Sequence, residues 1–254
     1  MVNILAGQTV VIIGGTSGIG FGVAKHILET TRANVVVASS KQERVDKAIK
    51  GLSDISGTDR VKGYVLDVSD SSNLQSSVAA FYDKIGAFNH LVWTAGDGFS
   101  FMTIETFSRE AAEKIFNIRY WAMLECIKQG IPRMPRSRES SITFTSGTIA
   151  QRPSPGWVLV GSGVAGALNS LSRGLALDLA PIRVNCVAPG VVDTELWEWL
   201  EEGARKDLFE DYSKKFLTKS VGNPDEVAEA YGYLVRCNYV TGQSVTVDGG
   251  SVLV

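Results

Sequence analysis

The sequence predicts a single-domain α/β fold with a doubly wound sheet of about seven parallel strands. Short apolar runs rich in β-branched residues alternate with amphipathic helical patterns along all 254 residues. Such alternation is typical of a parallel sheet with helices on both faces, joined by right-handed crossovers. No linker, compositional break or internal repeat divides the chain, so we expect one domain over residues 1–254.

The individual elements follow from local composition. Each predicted strand is an apolar run with polar or glycine-rich flanks, and each predicted helix has apolar residues at helical spacing. A glycine region ends the second helix, and Pro132 and Pro135 end the long fourth helix. We expect strands at 9–14, 34–39, 61–68, 90–96, 141–146, 182–189 and 244–250. We expect helices up to about residue 31 and over 41–52, 71–85, 109–129, 161–180 and 224–235.

Composition argues against several classes of function. The formal net charge is −2, whereas a protein that tracks nucleic-acid phosphates usually has a basic surplus. Cys126, Cys186 and Cys237 are widely spaced, which favours reduced cysteines of an intracellular protein over a metal site. Neither a signal peptide nor a membrane span of roughly 20 apolar residues is evident. We therefore expect a cytoplasmic protein with no metal, nucleic-acid or membrane partner.

A glycine-rich turn between the first strand and the first helix predicts a dinucleotide site. The segment GGTSGIG spans residues 14–20 with the spacing G-x-x-x-G-x-G. Such a loop lets backbone approach a pyrophosphate, whose charge is favoured at the following helix N-terminus. A purely structural turn is the alternative. The candidate residues are Gly14, Thr16, Ser17, Gly18, Ile19 and Gly20.

The end of the second strand favours NADP(H) over NAD(H). Ser39, Ser40 and Lys41 stand there, with Arg44 one helical turn further on, in place of a carboxylate that would bind a ribose 2′-hydroxyl. Two hydroxyl groups and a cation can hold a 2′-phosphate. The serines are also compatible with a helix cap at this point, and the two roles do not exclude each other.

The order of several motifs resembles the short-chain dehydrogenase/reductase family over nearly the whole chain. These motifs are GGTSGIG, Asp67-Val68, TAG at 94–96, Asn117, RVNCVAPG at 183–190 and VTGQSVTVDGG at 240–250. The resemblance implies a Rossmann-type sheet, a bound nicotinamide dinucleotide and a homodimer or homotetramer. It implies further cofactor contacts from Asp67, Val68, Thr94, Ala95, Gly96, Pro189, Gly190, Val192 and Thr194. Thr94 departs from the asparagine that the family usually carries there.

Two side chains that members of this family use for catalysis are replaced in this sequence. The stretch SLSRGLALDLAPIRVN fixes the register, so that the tyrosine of Tyr-x-x-x-Lys falls on Gly161 and the lysine on Ala165. Neither residue can donate a proton, and a positioned general acid typically contributes a factor of 10² to 10⁴. Tyr120, three residues after Asn117, is a possible substitute acid or a packing residue.

A substrate that is already activated needs no proton donor, which suggests an iminium ion. Asp97 and Asp193 are candidate counter-charges for such a cation, although a loop turn and a helix cap are equally compatible with them. The replacements resemble those of fungal malbrancheamide-type reductase/Diels–Alderases of the family, which reduce an iminium with NADPH and guide a cycloaddition. That resemblance implies roles for Arg119 and Trp157, while Ser154 stands where an acidic residue is expected.

The segment of about 191–222 occupies the position of the family's variable substrate-binding lid. Residues 195–212 have an amphipathic helical pattern, with Leu196, Trp197, Leu200 and Leu208 on its apolar face. With Trp157, the tryptophans at 197 and 199 favour a large apolar or aromatic substrate, or else belong to the core or a subunit contact. Three alternatives to iminium reduction stay open: a ketone reductase, a non-redox cyclase and a catalytically silent subunit.

Overall fold

The structure is a computed structural model that describes residues 5–98, 102–153 and 159–254. One sheet of seven parallel strands has the order β3-β2-β1-β4-β5-β6-β7. The predicted fold class is therefore confirmed. The strands are β1 (Thr9–Ile13), β2 (Asn34–Ser39), β3 (Val61–Val65), β4 (His90–Trp93), β5 (Ser141–Thr145), β6 (Arg183–Pro189) and β7 (Ser244–Val247).

Helices cover both faces of this sheet. One apolar core lies between the sheet and the helices α3 to α6, and a second lies between the sheet and α1, α2 and α8. The strands are buried on both sides, which explains why they are continuous apolar runs rather than alternating patterns. The helices are α1 (Gly18–Thr30), α2 (Gln42–Ser56), α3 (Leu74–Ile85), α4 (Arg109–Phe116), α5 (Ala122–Gly130), α6 (Leu159–Asp178), α7 (Glu202–Lys215) and α8 (Pro224–Arg236).

The long helix predicted over 109–129 is present but is not regular throughout. A single π-helical turn, Asn117–Trp121, separates α4 from α5. Such turns are rare inside α-helices and occur frequently at functional sites. The sequence pattern does not reveal the turn, because one extra residue changes the helical period only locally.

The lid segment, residues 191–222, differs from the helix predicted over 195–212. Glu195–Trp197 form a separate 3₁₀ turn, and α7 begins only at Glu202. Trp197 is buried and its indole N–H donates to the Val192 carbonyl, which holds the short turn apart from α7. A parallel bridge between Val192 and Gly222 joins the two ends of the lid segment.

None of the helices in the described ranges is both long enough and apolar enough to cross a membrane. These ranges also contain no group of three His, Cys, Asp or Glu side chains arranged to hold a metal ion.

His90 lies fully buried in β4 at the centre of the sheet. Its Nδ1 lies 2.8 Å from Ser141 Oγ and its Nε2 lies 2.7 Å from Gln8 Oε1. Burial and, to a smaller extent, the nearby Arg183 guanidinium lower the pKa of His90 to about 3. The imidazole of His90 is therefore neutral in the folded protein above about pH 3, whereas in the unfolded chain it is protonated below about pH 6.5.

We expect the free energy of unfolding to fall as the pH is lowered from about 6.5 to about 3. In this range the unfolded chain binds a proton at residue 90 and the folded chain does not, which costs about 1.4 kcal/mol per pH unit. Urea unfolding at several pH values measures this slope. His90→Gln should reduce the slope, whereas an unchanged slope in that variant would contradict the assignment. Burial also lowers the pKa of His26, so a smaller dependence on pH should remain.

Candidate active site

A cavity of about 1390 Å³ opens at the carboxyl ends of the strands, where the chain leaves β1 and β4 towards opposite faces of the sheet. Strand order reverses at this point, and ligands of open α/β sheets bind in the crevice that the reversal creates. The loops after β1, β2, β4, β5 and β6 contribute to its walls, together with α6 and the lid segment. The volume exceeds the range of about 300–1,000 Å³ usual for one small-molecule site, so a cofactor and a substrate fit together.

The glycine-rich loop lines this cavity and is held close to the end of β4. Gly14 has a φ of +88°, and a Cβ added there would lie 2.5 Å from the Ala95 backbone nitrogen. A Cβ on Gly20 would collide with the Gly14 carbonyl oxygen and with Thr94 Oγ1. Ser17 precedes α1 without a side-chain capping bond, and no acidic residue occupies the first turn. The N–H groups at the start of α1 are thus suited to a phosphate.

The adenosine end of the cavity differs from the prediction in one residue. Ser39, Ser40 and Arg44 line the wall, but Lys41 does not. Lys41 is the N-cap residue of α2, with an extended backbone that directs the chain into the helix. Lys47, one turn beyond Arg44, lines the wall instead. Its spacing of three residues from Arg44 is the signal that could have identified it.

The other residues predicted to contact the cofactor lie around the same cavity. Asp67 Oδ1 accepts hydrogen bonds from the Ser69 N–H and hydroxyl, which fixes the turn after β3. The Thr194 hydroxyl accepts from the Leu196 N–H and begins the 3₁₀ turn of the lid segment. The cavity is lined by Thr16, Ser17, Gly18, Ile19, Asp67, Val68, Thr94, Ala95, Gly96, Pro189, Gly190, Val192 and Thr194.

Asp97 and Arg119 form an ion pair on the cavity wall. Arg119 Nε lies 3.1 Å from Asp97 Oδ1, and Nη2 donates to the Asp97 carbonyl oxygen at 2.5 Å. The guanidinium lies directly over Gly96, where an added Cβ would be only 2.8 Å away. Each side chain is 28% exposed. Asp97 already has a cationic partner, so its carboxylate is not a free counter-charge.

Asp193 does not lie in the main cavity. Its carboxylate pairs with Arg205 of α7, and both residues line a separate cleft between the lid segment, α1 and the start of α8. The predicted role of Asp193 as a counter-charge beside the reacting atoms is therefore not supported by its position. The backbone of the loop after β6 turns this side chain outward, towards Arg205, which the sequence pattern did not indicate.

Asn117 and Tyr120 lie beside the cavity rather than in its wall. Asn117 Nδ2 donates to the Ser69 carbonyl oxygen at 3.1 Å and so connects the π turn to the loop after β3. The Tyr120 ring packs edge-on against Trp121, with ring centres 4.8 Å apart, and contacts the hydrophobic core. This position favours the packing role for Tyr120. Trp157 and Ser154 lie outside the described residues.

The two replaced positions line the cavity, as the register of α6 requires. Gly161 and Ala165 lie in its wall with Val164 and Leu168, so that this wall carries no ionisable group. Ser146 Oγ donates to the Ala165 carbonyl oxygen at 3.0 Å. Thr148 Oγ1 donates to the Pro189 carbonyl oxygen at 3.2 Å. Both hydroxyl groups thus donate to backbone carbonyl oxygens.

Several cavity residues were not predicted from the sequence. Tyr212, Lys215 and Phe216 come from the end of α7, and Ser251 and Val254 come from the turn after β7. Helical spacing within 205–216 is a signal that could have found the first group. The second group lies after the last strand, where the sequence has no periodicity that would place it.

The strand order, the glycine loop and the cavity at the reversal point define a dinucleotide-binding protein of the Rossmann type. The model of the SDR-like Rossmann domain matches residues 1–254. The chain belongs to the short-chain dehydrogenase/reductase family, and is an NAD(P)-dependent oxidoreductase of that family. The resemblance stated from the motifs is thereby confirmed.

Fungal proteins are among the relatives. The short-chain dehydrogenase/reductase fsr5 of Gibberella fujikuroi is 34% identical over 99% of this chain and 97% of its own length. The protein malC of Malbranchea aurantiaca is also 34% identical, over 99% and 97% of the two chains.

Solved structures agree with the fold. The MalC reductase/Diels–Alderase of Malbranchea aurantiaca superposes with a TM-score of 0.92 at 32% identity, covering 99% of each chain. A small-chain dehydrogenase in complex with NADPH superposes with a TM-score of 0.78 at 26% identity, covering 97% of this chain and 99% of that one.

Gly14→Ala should destabilise the protein and weaken dinucleotide binding. The new Cβ would overlap the Ala95 backbone at a positive φ, at a cost of about 2 to 4 kcal/mol. Urea unfolding and fluorescence titration with NADPH measure the two effects. Gly163→Ala is the matched control, because that glycine lies on the exposed side of α6 with open space around it and should gain up to about 1 kcal/mol. Equal stabilities of the two variants would contradict the close approach of the loop.

Proposed function

We propose that this protein is an NADPH-dependent reductase that transfers hydride to an activated C=N⁺ carbon of a large, apolar or aromatic substrate. The observation that carries the proposal is the wall formed by Gly161 and Ala165, which lines the cavity where the family's proton donor and lysine would stand. The small side chains leave space for a substrate, and the tyrosine that would protonate an alkoxide is absent from position 161.

The chemistry of an iminium ion suits this wall. Bound NADPH would supply a hydride with its electron pair, and this hydride would form a C–H bond at the iminium carbon. The π electrons of C=N⁺ become the nitrogen lone pair, so the products are a neutral amine and NADP⁺. No proton is transferred, and a lysine at position 165 would repel the cation. A ketone would instead need a proton on its oxygen, a contribution typically worth a factor of 10² to 10⁴.

The choice of NADPH rests on the side chains at the adenosine end. Ser39, Ser40, Arg44 and Lys47 line the wall there, and no carboxylate follows β2 directly. Two cations and two hydroxyl groups match a 2′-phosphate in charge and in hydrogen-bonding capacity. A family neighbour has been crystallised with NADPH, which supports the same choice for this chain.

The size and lining of the cavity support a large substrate. Beyond the glycine loop, the walls carry Ile118, Ile149 and Leu196 together with the aromatic residues Trp197, Trp199, Tyr212 and Phe216. The likeness to MalC, a reductase/Diels–Alderase, extends the proposal to a cyclisation in the same cavity. Holding two reacting groups close and aligned can supply much of the rate of such a step.

The Asp97–Arg119 pair gives the cavity a fixed polar group under this proposal. Asp97 restrains the guanidinium, whose remaining N–H groups can donate to an oxygen of the substrate or of the cofactor. We also expect a homodimer or homotetramer and a cytoplasmic location, and both stay predictions.

A single-turnover assay with NADPH deuterated at C4 tests the reaction class. We expect deuterium transfer to cyclic iminium ions and none to simple ketones, because Gly161 and Ala165 leave no proton donor on the α6 side of the cavity. Transfer only to ketones would overturn the proposal, as would binding of NADPH without transfer to any iminium.

A double substitution provides the matched comparison. Gly161→Tyr with Ala165→Lys restores the family's usual pair, and a side chain at 161 has room because the nearest atom to an added Cβ, Ile149 Cδ1, is 3.5 Å away. We expect ketone reduction to rise at least tenfold and iminium reduction to fall. An unchanged ratio of the two rates would show that the wall does not select the substrate class.

Substitutions on α2 test the cofactor choice. Arg44→Gln and Lys47→Gln should each weaken NADPH binding about tenfold through loss of a charge-assisted contact, while NADH binding changes less than twofold. Isothermal titration at two salt concentrations measures the affinities. Lys50→Gln is the control, since Lys50 lies on the same helix but not in the cavity wall. Equal losses for NADPH and NADH would contradict contact with the 2′-phosphate.

A further inference from the structure

The end of α7 brings a tyrosine into the cavity that the sequence alone does not single out. Tyr212 is the tyrosine that lines the cavity within the described part of the chain. Tyr120 packs against the core, and the buried Tyr231 hydroxyl is paired with Thr145 Oγ1 at 2.6 Å. A phenol is thus present in the cavity, but it enters from the lid segment and not from α6.

One stripe of α7 fixes the position of this phenol. Arg205, Phe209, Tyr212 and Phe216 recur at a helical spacing of three or four residues and lie on one face. Arg205 pairs with Asp193, and the Phe209 ring packs edge-on against Trp197, with ring centres 5.5 Å apart. These two contacts anchor the first part of the stripe on the loop after β6. The last part of the stripe consequently faces the cavity.

The ring of Tyr212 is held and its hydroxyl is kept protonated. It stacks on the buried Phe216 ring at 5.5 Å, with an angle of 22° between the planes. Burial raises the pKa of the Tyr212 phenol above its ordinary value. At neutral pH this hydroxyl is a hydrogen-bond donor and a weak acid, unlike a phenol whose pKa a neighbouring lysine lowers.

The segment that follows Tyr212 is tied to the turn after β7. The Thr218 N–H donates to the Gly249 carbonyl oxygen, which joins the end of the lid segment to the turn after β7. Asp248 holds that turn, because its carboxylate accepts from the Gly250 N–H, the Ser251 hydroxyl and the Val252 N–H. The end of α7, which carries the phenol, is therefore connected to a turn that Asp248 holds in place.

We propose that Tyr212 binds a neutral acceptor oxygen, such as a carbonyl or amide oxygen, that the substrate carries outside its reacting C=N⁺ group. This inference rests on the proposed function, because it specifies the class of iminium that the cavity accepts. A protonated phenol beside the aromatic residues of the cavity discriminates by hydrogen bonding, since an acceptor oxygen satisfies it and a hydrocarbon leaves it unpaired. Tyr212 contributes to substrate binding and donates no proton to the product, because hydride transfer to an iminium ion gives a neutral amine directly.

A matched set of probes tests this proposal: N-methyl-3,4-dihydroisoquinolinium and its analogues with a carboxamide at each aromatic position. We expect the wild-type protein to prefer at least one carboxamide, and Tyr212→Phe to abolish that preference. The variant should raise KM for that probe by roughly threefold to tenfold, as for one neutral hydrogen bond, with kcat unchanged within twofold. KM for the parent probe should stay the same, because the ring and its stacking on Phe216 are retained.

Tyr233→Phe is the control, because Tyr233 is exposed on α8 and does not line the cavity. The proposal is overturned if wild type shows no preference among the probes, if the preference survives in Tyr212→Phe, or if that variant weakens all probes equally. Failure of the proposed function looks different: no probe is reduced by the wild type. The same preference is then measured as dissociation constants in the NADP⁺ complex, where its loss in Tyr212→Phe supports the contact and its persistence excludes it.

Discussion

The close approach of two backbone segments at the centre of the sheet determines the rest of the site. The glycine loop after β1 runs against the end of β4 so tightly that a single methyl group at Gly14 or Gly20 would meet backbone or Thr94. This contact sets the crevice between the two strands, and every cavity wall is attached to a strand that the sheet holds in register with them. The central strands are fully buried, so hydrophobic packing of both faces stabilises the geometry at the loop.

The fold and the cofactor end of the cavity were predictable because they depend on local sequence signals. Buried parallel strands are continuous apolar runs, and a glycine loop between a strand and a helix has a recognisable spacing. The positions of Gly161 and Ala165 in α6 were also predictable, since the stretch SLSRGLALDLAPIRVN aligns this helix with the motif of the family. Lys41 was the exception, because a residue at a strand end can cap the next helix as readily as it can line a wall.

The substrate end was less predictable, because long-range pairing decides it. The sequence indicated Asp97 and Asp193 as candidate counter-charges, with a loop turn and a helix cap as alternatives, yet each is paired with an arginine, 22 and 12 residues further along the chain. No local sequence pattern predicts which arginine pairs with each aspartate. The boundary of α7 likewise depends on the anchoring of Trp197 to the Val192 carbonyl, a contact that amphipathic spacing does not encode. Neither aspartate is therefore a free counter-charge, and the cavity has more aromatic residues than the sequence indicated.

The π turn at Asn117–Trp121 has a consequence for how this part of the chain can change. An inserted residue rotates all that follows by about 100° relative to an uninterrupted α-helix. Arg119 consequently points over Gly96 while its neighbour Tyr120 packs inward. A one-residue deletion within the turn would return the helix to regular geometry and present a different side chain to the same wall. Insertion or deletion of one residue in this turn can thus replace Arg119 in the cavity wall by a neighbouring side chain without any substitution.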